Sequence, residues 1–93
     1  MSVETEVEAL TLDEVLSALS PSHQLILWND DYNTFEHVID CLVKHLQYTP
    51  SQAEKIAWTV HNEGKCAILE GSINELEIYR KLLKSEGLTV SVE

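Results

Sequence analysis

Two short runs concentrate the side chains with chemistry to offer, Asn29-Asp30-Asp31-Tyr32-Asn33 and Val60-His61-Asn62-Glu63-Gly64-Lys65. The first sets carboxamide and carboxylate acceptors directly after the apolar run Leu25-Ile26-Leu27-Trp28. Oxygen acceptors at the exit of a buried strand cost free energy unless donors meet them. Those donors are either backbone N–H groups of the chain itself, in an Asx turn opening a helix, or the N–H groups of a ligand. His61 divides the same way, into a surface residue or cap near a helix C-terminus and an acceptor turned toward a ligand. The residues of each run, taken separately, leave both alternatives open.

Metal chemistry fits them poorly. Asn29, Asp31 and Asn33 alternate as the first ligands of a calcium loop do, but Thr34 stands where that loop needs Gly, and Asp40 where it needs a bidentate Glu. His23, His37, His45 and His61 show no paired ligand spacing with the cysteines, which argues against zinc. No cofactor is expected. Catalysis would take Cys41 or Ser22 as nucleophile beside a histidine, or Asp30 and Asp31 as a carboxylate pair. Cys41 falls in the middle of a helical pattern among core positions, where a thiol is inert packing. Neighbouring aspartates point apart, and no nucleophile, base and oxyanion donors come together. The chain therefore reads as a non-enzyme, with an acidic metal-dependent hydrolase as the alternative that a metal-dependent turnover would revive.

Three start signals divide the sequence that positions these runs. Asn33 with Glu36, Thr49 with Gln52, and Ser72 with Glu75 are each spaced as a capping box, and Pro50 holds the favoured first helical position. The helices they open carry the stripes Phe35, Val38, Ile39, Leu42, Leu46; Ala53, Ile56, Ala57, Val60; and Ile73, Leu76, Tyr79, Leu83. Strands are expected at His23 to Trp28, Lys65 to Leu69 after Gly64, and Leu88 to Val92 after Gly87. The order β-α-α-β-α-β predicts a small α+β two-layer sandwich, a three-stranded sheet packed against three helices.

The chain has 93 residues, enough for one core and one domain over 23–93. Residues 1–22 read as an acidic, flexible arm closed by Pro21. A weaker helical pattern runs through it, with Thr11 and Glu14 as a capping box and Leu12, Val15, Leu16 and Leu19 at helical offsets. Net charge is −10, and residues 1–43 hold nine acids and no Lys or Arg. That field repels phosphate backbones and anionic lipid, so neither nucleic acid nor membrane is an expected partner. Cys41 and Cys66 sit inside apolar segments, as buried free thiols of a reducing compartment would. With no apolar span of membrane length and no signal-peptide pattern, a cytoplasmic location is expected.

Together, the two runs resemble the ClpS adaptors, which deliver proteins bearing destabilising N-terminal residues (N-degrons) to an AAA+ unfoldase. Leu27-Trp28-Asn29-Asp30-Asp31-Tyr32 looks like that family's first signature, and Val60-His61-Asn62-Glu63-Gly64-Lys65 like its Val-His-x-Glu-Gly-Lys second. Order and spacing match over residues 23–93. The resemblance implies an adaptor that binds a free α-amino group and a bulky first side chain (Leu, Phe, Tyr or Trp), then hands the chain to a ClpA- or ClpC-type unfoldase with ClpP. A generic docking domain without an amino-terminal pocket is the alternative.

By resemblance, Asn29 and His61 contact the ammonium group, Asp30 assists directly or through water, and Asp31 supports the loop. An ammonium carries three N–H donors and calls for converging acceptors, which these side chains supply. His61 can accept only as the neutral imidazole. The matching pocket positions are Asn33, Phe35, Val38, Val60 and Leu88. Asn33 stands where the family often has Thr, and Phe35 where it often has Met, a change that reshapes the preference among bulky residues. On the third helix a Glu-Thr-Lys docking run is replaced by Glu77-Ile78-Tyr79, and Arg80 or Lys81 is the candidate for the lysine's part.

Overall fold

Leu25, Ile26 and Leu27 are consecutive and all buried because they form the middle of the central strand. The computed structural model describes residues 11–12 and 22–93 of the chain. The expected arm at 1–22, with its helical pattern, lies outside the described residues apart from Thr11, Leu12 and Ser22. Strand β1 (His23–Trp28) pairs antiparallel on one edge with β2 (Lys65–Gly71) and on the other with β3 (Val90–Val92). Alternation sends Leu25 and Leu27 into the core beneath the helices and Ile26 and Trp28 to the opposite face. There the Trp28 indole N–H donates to Ser91 Oγ (2.8 Å), and the Lys65 ammonium lies 5.1 Å from the indole ring centre.

One bulge adjusts the β1–β2 register. Leu25 faces Leu69 while Ile26 faces Ala67, leaving Ile68 unpaired between them. Its carbonyl accepts the Tyr48 hydroxyl (2.6 Å), and its side chain is buried in the core.

Helices α1 (Phe35–Leu46), α2 (Pro50–Glu63) and α3 (Ile73–Ser85) complete the order β-α-α-β-α-β. At α2 the Thr49 and Gln52 bonds are reciprocal and Pro50 opens the first turn. Ser72 Oγ accepts the Glu75 N–H at the start of α3. The first helix departs from expectation, for its cap is Thr34, whose Oγ1 accepts the His37 N–H (3.1 Å). Asn33 does not cap it because that side chain is drawn to Asp30 and Gly87. Leu42, Leu76 and Leu83 lie in the core as their stripes predict, whereas Ile73, at the first position of α3, is about half exposed.

Strand limits also moved. β2 runs two residues beyond Leu69, and β3 starts at Val90 rather than Leu88. Leu88 gives its N–H to Leu83 O (3.1 Å), closing the end of α3, so regular pairing begins only two residues later.

Gly64 joins the two sequence motifs. At φ +89° it caps α2, donating to Val60 O (2.9 Å), while its own carbonyl accepts the Asn29 N–H (2.8 Å). A Cβ there would meet nothing within 4 Å, so substitution costs backbone strain alone. Gly64→Ala is expected to lower the unfolding free energy by about 1–2 kcal/mol. Urea denaturation should show this as a lower midpoint with an unchanged slope.

Candidate functional site

The corner after β1 is built around one carboxylate. Asp30 Oδ1 accepts the N–H groups of Tyr32 (2.9 Å) and Asn33 (2.8 Å), and Oδ2 accepts Asn33 Nδ2 and Thr89 Oγ1, each at 2.8 Å. Asn33 Nδ2 donates also to Gly87 O (2.9 Å), tying the corner to the turn after α3. Partial burial by itself would raise the Asp30 pKa. The donors from Asn33, Thr89 and Tyr32 outweigh it and hold the carboxyl below its ordinary value.

These bonds correct the expected division of labour. Loop support, expected of Asp31, falls to Asp30, because only the Asp30 carboxylate points back over the turn. Asp31 is exposed and takes no part in those hydrogen bonds. Four donors also fill the sites a carboxylate offers, leaving Asp30 little capacity for direct contact with a ligand.

Beside the corner lies a cavity of about 440 Å³ between β1, α1 and α2. Its floor is apolar: Leu27, Ala57, Val60 and Leu88 are each at most 5% exposed, and Val38 is half-buried. Asn29, Phe35, Trp58 and His61 stand at its more exposed edge, with Asp30 and Asn33 alongside. All eight residues expected to bind the amino group or line the pocket therefore meet at this one cavity. Among the described residues, no Lys or Arg lines it, and Asp30 is its one carboxylate. Among the described residues, the side chains of Asn29 and His61 have no protein hydrogen-bond partner, and both are exposed at the edge of this cavity.

Leu27 and Trp28 at the end of β1, and Ala57 and Trp58 on α2, are lining residues whose part here was not anticipated. Ala57 reads as core from its stripe, and Trp58 lies outside every stripe. Their signal was positional, since they precede His61 by four and three residues and so share its side of a helix. The Trp58 ring packs 4.8 Å from Phe35 at a 59° tilt and meets His61 edge-on at 6.0 Å.

Elsewhere the fold makes a cluster unseen in the sequence reading. His37, Cys41 and His45 follow at four-residue steps on α1 and face Glu86: His37 Nε2 is 2.7 Å from Glu86 O, and His45 Nε2 is 3.0 Å from Glu86 Oε2. Among the described residues, no three His, Cys, Asp or Glu side chains are arranged to hold a metal. Burial and the nearby Glu86 and Asp40 carboxylates push the Cys41 thiol up to about 11, which keeps it protonated at neutral pH and unfit as a nucleophile. Cys66, expected buried, is partly exposed on β2. On α3, Glu77 pairs with Arg80 (2.8 Å), Tyr79 is half-buried, and Lys81 is exposed.

Comparison with known proteins agrees with this architecture. The model of the family described as "ATP-dependent Clp protease adaptor protein ClpS" matches residues 18–91. The ClpS adapter protein of Nostoc sp. is 39% identical over 75 residues, spanning 76% of this chain and 74% of its own length. That of Escherichia fergusonii is 35% identical over 77 residues, covering 78% and 73%. Among solved structures, Agrobacterium tumefaciens ClpS2 bound to L-phenylalaninamide superposes with a TM-score of 0.68 over 77% of this chain and 94% of that one. At 20% identity, that match speaks for the fold. Fold and family define a small adaptor, not an enzyme. The chain belongs to the ClpS family of Clp protease adaptor proteins.

Proposed function

We propose that this adaptor holds the free α-amino group of an N-degron between Asn29 and His61 and buries the first side chain in the neighbouring cavity. It then hands the chain to a ClpA- or ClpC-type unfoldase with ClpP in the cytoplasm, with Glu77, Tyr79, Arg80 and Lys81 as candidate docking residues. The observation that carries this reading is the placement of Asn29 and His61, neither of whose side chains bonds to a described residue, at the edge of an apolar cavity that no Lys or Arg lines among the described residues. An ammonium group offers three N–H donors to the acceptor atoms of these two side chains, and its charge suits a site bordered by Asp30. Burying a bulky first side chain contributes roughly 1.5–3 kcal/mol more. Leu, Phe, Tyr and Trp are the first residues this reading assigns to the cavity.

The test compares peptides that begin with free or acetylated Phe, by fluorescence anisotropy. Acetylation removes the charge and two donors and is expected to weaken binding at least about 100-fold, as the loss of two charge-assisted bonds would. Asn29→Ala and His61→Ala should each cost about 10–100-fold. Equal affinity for free and acetylated peptides would sink the reading and favour a generic docking surface.

A further inference from the structure

Trp58 is half exposed and lines the cavity, where its ring is open to contact with an incoming side chain. It sits on α2 directly beside Ala57, the smallest residue of the floor, and leans on Phe35 from the first turn of α1. The cavity thus pairs an unfilled floor at Ala57 with a rim of three rings, Phe35, Trp58 and His61. A flat side chain entering past that rim presents its edge or face to Trp58, an arrangement aromatic pairs favour beyond the area they bury. A Leu side chain reaches less deeply and offers no ring.

Resting on the first-residue pocket read above, we propose that Trp58 is a specificity-determining residue that ranks aromatic first side chains above Leu. Peptides differing only in a first Phe or Leu should then differ about tenfold in affinity, the size of one favourable ring pair. In Trp58→Leu the Phe peptide should lose about tenfold while the Leu peptide holds within about twofold. Trp58→Phe, which keeps a ring, should retain most of the preference. A second readout follows the ring itself: in a Trp28→Phe background, Trp58 is the remaining indole, and its emission should shift to the blue when a Phe peptide covers it. Equal Phe and Leu affinities in the unaltered protein would overturn the proposal while leaving amino-group recognition standing. So would a parallel fall for both peptides in Trp58→Leu, the mark of a merely structural ring. Failure of every free-amine peptide to bind would instead refute the pocket reading itself.

Discussion

Asp30→Ala is expected to lower the unfolding free energy by about 2–3 kcal/mol and to weaken peptide binding severely, while Asp31→Ala stays within about 0.5 kcal/mol. The asymmetry between two adjacent aspartates follows from their partners. Asp30 accepts from Tyr32, Asn33 and Thr89, so its loss strands two backbone N–H groups and frees both the corner and the start of β3. The stability figure lies below the sum of four charge-assisted bonds because the corner is partly exposed and water replaces some of them. Asn29 is the preceding residue, so a corner that loosens also releases one wall of the amino-group site.

The same carboxylate sets an acid limit. Its folded pKa lies below the ordinary value of 3.8, so it stabilises the fold fully above that value. This contribution declines as pH falls through the depressed folded value. Asp30→Asn keeps one acceptor oxygen but replaces the other with a donor that faces Asn33 Nδ2 and Thr89 Oγ1. It should therefore fall between the unaltered protein and Asp30→Ala at neutral pH, with a flatter acid limb. Urea midpoints from pH 3 to 7 would show both effects. Equal losses for Asp30→Ala and Asp31→Ala would refute the assignment.

What could be read from the sequence was whatever its signals settle locally. The Thr49–Gln52 box closes within four residues and stands as expected, as do the core stripes of Leu42 and Leu83. The Asn29–Asn33 corner could not be settled that way. Its bonds run from Asn33 to Gly87 and from Thr89 to Asp30, 54 and 59 residues apart. Competition for Asn33 from that distance moved the cap to Thr34, and the Thr89 hydroxyl helped to make Asp30 the brace. His37, Cys41 and His45 were likewise unread because their common partner, Glu86, lies beyond α3. Placing Asn29, Asn33, Phe35, Val38, Val60, His61 and Leu88 around one cavity needed the family resemblance, since each also has an ordinary reading as cap, core or surface.

Ala57→Leu should separate pocket from core most sharply. Ala57 is 3% exposed and lines the cavity, but it is not part of the contiguous core cluster that includes Ala53, one turn earlier on α2. A Leu at 57 extends into the cavity, where there is room, and should change the unfolding free energy by less than about 1.5 kcal/mol. It occupies the space meant for the incoming side chain and removes the roughly 1.5–3 kcal/mol that burial supplies. Affinity for a free-amine Phe peptide should therefore fall about 10–150-fold with the fold intact. Ala53→Leu is the complementary control. Ala53 is fully buried in the core, so the same three carbons overpack it and should cost about 1–3 kcal/mol of stability. Calorimetric titration of both variants, with urea melts alongside, distinguishes the positions. Undiminished peptide affinity in a folded Ala57→Leu protein would place the first side chain somewhere other than this cavity.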